Sequence, residues 1–113
     1  MNIQIYGKTK CFDTKKAERY FKERKIKYQS IDVAKYGMSK GEYRSVKSAI
    51  GGMKELLDKK SKEYSEKFVA YLASEEDIEE RLLETPKMFK TPIVRNEKKA
   101  TVGYQPEIWK TWE

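Results

Sequence analysis

Residues 2–11 read NIQIYGKTKC, a short apolar run and a turn that ends on a cysteine. Apolar and polar residues alternate over 2–6, which predicts a β-strand. The next stretch, about 12–25, repeats its apolar residues on one helical face and predicts a helix. Residues 28–33 alternate again and predict a second strand. This β-α-β order has the length of a parallel crossover unit.

The middle of the chain predicts helices. Ser39 with Glu42 three residues later forms a capping-box pattern, and a helix over about 40–50 follows it. Gly51 and Gly52 end that helix. The remaining residues predict a short helix at 53–58, a loop or weak helical turn at 59–67, and a helix that begins after Ser74 and ends before Pro86. Residues 38–85 are therefore expected to form a helical insertion.

The last part of the chain predicts a hairpin and a short helix. Residues 93–95 and 100–103 are strand-like and are separated by the polar turn 96–99. Pro106 suits the first turn of a final helix. The order β-α-β, helical insertion, β-β-α is that of a single α/β domain, residues 1–113, with a thioredoxin-like mixed four-stranded sheet. We expect these aromatic residues in its core: Tyr6, Phe12, Tyr20, Phe21 and Trp109.

Composition limits the possible functions. Charged residues make up 38% of the 113 residues and the mean hydropathy is −0.90, which predicts a soluble protein without membrane association. The single cysteine excludes an internal disulfide and favours a cytoplasmic setting. The sequence has no histidine, which excludes histidine-based acid–base chemistry and histidine metal ligands, so we expect no metal site.

The net charge of +7 has two explanations. It could favour nucleic acids, or it could belong to an ordinary solvated surface. Lysines are interspersed with glutamates along the predicted helices, so we do not expect direct nucleic-acid binding. The charge is nevertheless uneven, since residues 8–19 are mainly basic and residues 74–84 mainly acidic.

Cys11 is the candidate nucleophile. A thiol at a strand-to-helix turn faces the free N–H groups and the positive dipole end of the helix, which favour the thiolate. Lys8, Lys10 and Lys15 also favour the thiolate, and they are candidates for binding an anion beside it; Asp13 opposes it. The alternatives stay open: Cys11 as a small buried residue without chemistry, and the lysines as solvated surface charges.

Several ordered stretches carry a family resemblance: residues 5–11, Lys16-Ala17 with Ile31-Asp32, residues 56–64, Thr91-Pro92-Ile93-Val94, and Val102-Gly103-Tyr104 with Trp109. On these the chain resembles the arsenate-reductase-like/Spx family of ArsC-related proteins over nearly its whole length. The resemblance implies a thioredoxin-like fold and thiol chemistry at Cys11. It also implies a cis bond at Thr91–Pro92, whose backbone would face an incoming chain.

The chain departs from that family at informative positions. Arsenate reductases of the family use arginines to hold the oxyanion, and the corresponding positions here are Asp58, Thr91 and Gln105. Asp, Thr and Gln do not reproduce a bidentate guanidinium, so we do not expect genuine arsenate reduction. Spx proteins carry Cys-x-x-Cys, whereas this motif ends on Thr14.

Two functions follow from the resemblance. The motif from Cys11 to Thr14 resembles that of monothiol glutaredoxins, which implies an oxidoreductase of mixed-disulfide chemistry. Thr14 would donate a hydrogen bond to the thiolate, unless it is an ordinary first-turn residue. The partners of such an oxidoreductase would be a protein disulfide and glutathione or another low-molecular-weight thiol as co-substrate, without a tightly bound cofactor.

The alternative function is that of a non-catalytic Spx-like regulator that binds the RNA polymerase alpha subunit, with Gly52 as the contact residue.

Overall fold

The computed structural model of the chain describes residues 1–66, 69–72 and 74–113. Lys67, Phe68 and Ala73, which fall within the predicted insertion, lie outside the described residues. The strands are β1 (Ile3–Gly7), β2 (Tyr28–Asp32), β3 (Ile93–Asn96) and β4 (Lys99–Val102). The α-helices are α1 (Phe12–Glu23), α2 (Val33–Tyr36), α3 (Lys40–Ile50), α4 (Lys62–Glu66), α5 (Glu75–Glu84) and α6 (Pro106–Lys110). Short 3-10 turns occupy Lys54–Leu56, Val69–Tyr71 and Pro86–Met88.

The described strands form one mixed four-stranded sheet in the order β2-β1-β3-β4. β1 and β2 are parallel, and β1–β3 and β3–β4 are antiparallel. The predicted α/β, thioredoxin-like fold is therefore confirmed. In the β1–β3 pair, Tyr6 lies opposite Ile93. This register brings the end of β1 and the start of β3 to the same edge of the sheet, where Cys11 follows β1 and the Thr91–Pro92 bond precedes β3.

Two details differ from the sequence expectations. Val33 does not continue the second strand, because the Asp32 side chain accepts a hydrogen bond from Lys35 N (3.3 Å) and begins α2. The prediction that Phe12 is buried is wrong, since its side chain is 80% exposed. At 100° per residue, Phe12 lies almost opposite the buried Thr14 on α1.

The sheet carries a hydrophobic cluster on each face. On one face, α1 and α6 cover β1 and β3 with Ile3, Ile5, Ala17, Tyr20, Phe21, Val94 and Trp109. Trp109 is fully buried, and its Nε1 donates a 2.7 Å hydrogen bond to Thr101 Oγ1. The insertion covers the other face with a larger cluster that includes Tyr6, Val46, Leu56, Leu82 and Phe89. The 38–85 segment thus packs onto the sheet and supplies most of the buried residues of this second cluster.

Polar contacts fix the insertion to the sheet. The Tyr6 hydroxyl donates to Glu42, and Arg95 Nη2 donates to Ser45 Oγ at 3.3 Å. Burial and the bond to Glu42 together raise the pKa of Tyr6 to about 12, so Tyr6 stays a donor at neutral pH. Arg95 is also bound to Gln4 Oε1 at 3.3 Å, on the sheet side of this contact.

A short backbone contact was not anticipated from the sequence. Leu57 pairs with Phe89 in an isolated antiparallel bridge. Asp58 N donates to Met88 O, and Lys90 N donates to Leu56 O, each at 2.8 Å. The bridge lies directly before Thr91, so it brings residues 58 and 90 to the edge of the sheet where Cys11 lies. Among the described residues, no helix is long and apolar enough to cross a membrane.

Candidate functional site

Cys11 is the N-cap residue of α1, in an extended conformation, and its thiol is partly exposed. Its Sγ donates to the Thr91 carbonyl oxygen at 3.6 Å. The Thr91–Pro92 bond is cis, as the resemblance implied. Pro92 is buried, and its carbonyl accepts from Gly103 N at 2.8 Å. The loop that carries Thr91 is therefore fixed opposite the sulfur.

Thr14 supports the thiol from within α1. Its side chain is 5% exposed, and its Oγ1 accepts a hydrogen bond from Lys8 N at 3.4 Å. A hydroxyl that accepts from an N–H keeps its own hydrogen free for another acceptor, and here that acceptor is Cys11. Gly7 makes this packing possible, since a Cβ at position 7 would lie 2.2 Å from Thr14 Cγ2.

The pKa of Cys11 is lower than that of an ordinary cysteine thiol. Partial burial acts in the opposite direction and raises it, but hydrogen bonds from the side chains of Thr14 and Thr91 and from the backbone of Thr14 and Asp13 outweigh burial. The bond from the thiol to the Thr91 carbonyl favours the protonated form and is lost on ionisation. The largest contributions that favour the thiolate are thus hydrogen bonds, among them those that the sequence had suggested from Thr14 and from the N–H groups at the start of α1, rather than the lysine charges.

A cavity of about 380 Å³ opens in front of the sulfur. It is lined by Lys8, Lys10, Cys11, Asp58, Lys90 and Thr91. Lys8 is half-buried, and its Nζ donates to the Lys87 carbonyl at 2.7 Å. Burial lowers the pKa of Lys8, while the charges of Asp58 and Cys11 favour its protonated form. The described lining carries three cations and one carboxylate, an arrangement that attracts anions.

The structure separates some predicted site residues from this cavity. Lys8 and Lys10 line it, but Lys15 lines another groove, beside β2. The reason is that Cys11 is an extended N-cap residue, so its side chain leaves α1 in a different direction from that of Lys15. The sequence analysis did not predict Lys90 as a residue of the cavity lining. Its position directly before Thr91-Pro92 was the only sequence signal for that role. Among the described residues, no cluster of three or more possible ligands is placed to bind a metal.

The positions that lack family arginines are now located. Asp58 lies in the cavity, and its Oδ1 accepts from Lys60 N at 3.0 Å. Gln105 is exposed, and its Nε2 donates to the Val102 carbonyl at 3.2 Å. Arg95 lies outside the cavity lining and is bound to Gln4 and Ser45. The described cavity therefore offers ammonium groups to an anion and no guanidinium.

Gly52 lies in a separate part of the surface, in the turn after α3. Gly51 ends that helix in the left-handed conformation, and Gly52 has φ +149°, which favours glycine. A Cβ at position 52 would meet nothing within 4 Å. A side chain there has room, and only its backbone conformation opposes it.

Residues 6–112 match the model of the ArsC family. In sequence, the chain is 29% identical over 112 residues to the Global transcriptional regulator Spx 2 of Oceanobacillus iheyensis, and this match covers 95% of this chain and 80% of that protein.

Two solved structures share the fold over almost the whole chain. An arsenate reductase from Vibrio cholerae superposes with a TM-score of 0.84 at 22% identity, covering 96% of this chain and 94% of that one. A protein from Bacteroides fragilis, described as related to the ArsC family, gives 0.87 at 21% identity, covering 100% of this chain and 98% of that one. At these identities the likeness establishes the fold alone.

The role of Thr14 can be tested by substitution. We expect Thr14→Val to raise the pKa of Cys11 and to slow alkylation by iodoacetamide at pH 7 several-fold, because a buried hydrogen bond to a charged group is lost. Thr14→Ser keeps the hydroxyl and should alkylate at nearly the wild-type rate. Alkylation followed by mass spectrometry across pH measures both. Equal rates for Thr14→Val and the wild type would show that Thr14 only fills space beside Gly7.

Proposed function

The chain belongs to the ArsC family, and we propose that it is a single-cysteine thiol oxidoreductase that acts through a mixed disulfide on Cys11. The observation that carries the proposal is a partly exposed thiol of lowered pKa, bound by Thr14 and facing a cationic cavity. A larger thiolate fraction at neutral pH is what thiol–disulfide exchange requires. A cytoplasmic location would supply the reducing thiols.

The reaction has two exchange steps. The Cys11 thiolate attacks the glutathione sulfur of a protein–glutathione disulfide, which forms a Cys11–glutathione disulfide and releases the protein as a thiolate that takes up a proton. A second glutathione thiolate then attacks the glutathione sulfur bound to Cys11 and yields glutathione disulfide and free Cys11. One disulfide is consumed and one is formed, so the electrons balance without another reductant.

The cavity supports a small peptide thiol such as glutathione. That molecule carries two carboxylates and one ammonium group, and the cavity offers the ammonium groups of Lys8, Lys10 and Lys90 with the carboxylate of Asp58. Among the described residues, the Thr91 N–H has no hydrogen-bond partner. It is therefore available to a backbone carbonyl of a bound peptide, beside the sulfur.

Arsenate is a poor match to the same cavity. An arsenate oxyanion is held best by planar, bidentate guanidinium groups. Asp58 places a negative charge among the lysines instead, and it would repel the oxyanion. We therefore do not propose arsenate as the substrate of this chain.

A second candidate function is a regulator that binds the RNA polymerase alpha subunit without catalysis. It is supported by the sequence similarity to a global transcriptional regulator and by the accessible turn at Gly52. The turn is separate from the cavity lining at Cys11, so substitutions can test the two functions independently.

We expect the wild-type protein to reduce a glutathionylated peptide with glutathione, and Cys11→Ser to abolish turnover because the nucleophile is lost. Lys90→Gln should raise the KM for glutathione about two- to fivefold, as for the loss of an exposed ion pair. Lys98→Gln, an exposed lysine in the β3–β4 turn, is the matched control and should leave the KM unchanged. Release of glutathione disulfide, coupled to glutathione reductase, measures the rate.

The same assay with arsenate in place of the peptide should give no turnover above the Cys11→Ser background. Arsenate turnover comparable to peptide turnover would contradict our assignment of substrate. A wild-type rate on the peptide equal to that of Cys11→Ser would remove the oxidoreductase proposal.

For the regulator, we expect Gly52→Arg to abolish binding of the RNA polymerase alpha subunit, while Gly52→Ala retains it. Both variants should lose about 1–3 kcal/mol of stability, because both place a Cβ at φ +149°. Binding is measured by fluorescence anisotropy and stability by urea unfolding. Wild-type protein that does not bind the subunit would rule this function out. An equal loss of binding in both variants would assign the effect to the backbone conformation at position 52.

A further inference from the structure

A groove of about 580 Å³ runs between α1 and the segment that contains α6. Lys16 and Tyr20 of α1 and its C-cap residue Arg24 line one side of the groove. Tyr104, Glu107 and Lys110 line the other side. It shares no described lining residue with the cavity at Cys11. The thiol chemistry proposed above therefore makes no use of it.

Tyr20 is the unusual residue of this groove. Its side chain is 4% exposed, and among the described residues its buried hydroxyl has no hydrogen-bond partner. Burial raises the pKa of Tyr20, so the hydroxyl keeps its proton and remains a donor. Nearly all buried polar groups in proteins are hydrogen-bonded. The Tyr20 hydroxyl is therefore a hydrogen-bond donor that a bound acceptor can use.

The groove also carries unpaired positive charge. The Arg24 guanidinium lies over the Tyr20 ring, with Cζ 3.7 Å from the ring centroid. In the part of the chain that the structure describes, neither Arg24 nor Arg19 forms an ion pair with a carboxylate. Lys16 and Tyr20 on α1 and Arg24 at its C-cap are spaced four residues apart, so they form a row about 12 Å long.

The larger groove between α3 and α5, about 800 Å³, provides a contrast. Its central charges are satisfied within the molecule, because Lys47 Nζ lies 2.8 Å from Glu79 Oε2 and 3.3 Å from Glu75 Oε1. The Tyr43 hydroxyl donates to Glu79 Oε2 at 2.5 Å. Its tyrosine thus has an internal acceptor, whereas Tyr20 has none among the described residues.

We propose that the groove between α1 and α6 binds an extended acidic segment of a partner protein. Acidic residues four positions apart in a β-strand are separated by about 13 Å, which matches the row from Lys16 to Arg24. A backbone carbonyl between them accepts from the Tyr20 hydroxyl. The half-exposed ring of Tyr104 offers an aromatic contact at the end of the row occupied by Lys16, whose Nζ lies 5.7 Å from the ring centroid.

Charge favours a polypeptide over a nucleic acid here. Glu23 and Glu107 also line the groove, and they would repel a continuous phosphate backbone. A polypeptide can place neutral residues at those points. The segment reaches Tyr20 by displacing the exposed side chains of Glu107 and Lys110, whose ion pair spans 3.3 Å and is weak at the surface.

The test uses a fluorescein-labelled five-residue peptide with glutamate at every second position, alanine between and an amidated C-terminus. We expect the wild-type protein to bind it in anisotropy titrations, and not to bind the same peptide with glutamine for glutamate. Tyr20→Phe and Arg24→Gln should each weaken binding about three- to tenfold, as for the loss of a hydrogen bond or ion pair to a charged ligand. Lys22→Gln removes the same charge from α1 outside the groove lining and should change binding less than twofold.

The thermal midpoint of Tyr20→Phe distinguishes a role of the Tyr20 hydroxyl in binding from a role in folding. Tyr20→Phe removes an unpaired buried donor, so its thermal midpoint should equal or exceed that of the wild type. A lower midpoint with normal peptide binding would overturn the proposal, because the hydroxyl would then serve the fold. An equal loss of peptide affinity in Lys22→Gln and Arg24→Gln would also overturn the proposal. So would a wild-type protein that does not bind the acidic peptide, or one that binds a short oligothymidine more tightly than that peptide.

Discussion

The antiparallel pairing of β1 with β3 is the constraint on which the site depends. With Tyr6 opposite Ile93, the turn after β1 and the loop before β3 meet at one edge of the sheet. Cys11 and Thr91 are eighty positions apart in sequence, yet sulfur and carbonyl oxygen lie 3.6 Å apart. A shift of one residue would turn every side chain of the strand to the opposite face. The buried Ile5 and Val94 pair specifies the register and thereby the geometry of the thiol.

The thiol environment combines two kinds of stabilisation in different places. Short-range hydrogen bonds from Thr14, Thr91 and the start of α1 act on the sulfur itself. The lysine charges lie around the cavity, where an anionic partner would bind. Of the cavity lining, the insertion contributes Asp58 alone, which the Leu57–Phe89 bridge brings to the same cavity as Lys90. Variation within the insertion can thus change the preferred partner while the thiol keeps its reactivity.

Sequence patterns predicted the strands, the main helices and the candidate nucleophile, because periodicity, caps and breakers are local signals. They predicted neither the exposure of Phe12 nor the bridge at Leu57, because both depend on how elements pack. The lysines were predicted as one group, yet Lys15 lies in another groove, since the direction of the Cys11 side chain depends on its N-cap conformation. The unpaired Tyr20 hydroxyl could not be inferred from sequence, where Tyr20 is simply an apolar position of α1.

The central claim is that the folded structure stabilises the Cys11 thiolate. Ultraviolet absorbance near 240 nm follows thiolate formation, and the sequence has one cysteine, so a pH titration reports on that sulfur alone once tyrosine ionisation at higher pH is subtracted with Cys11→Ser. The account predicts a lower midpoint for the native protein than for the same protein in denaturant. A native midpoint equal to or above the denatured one would contradict it, and Cys11 would then be a structural residue.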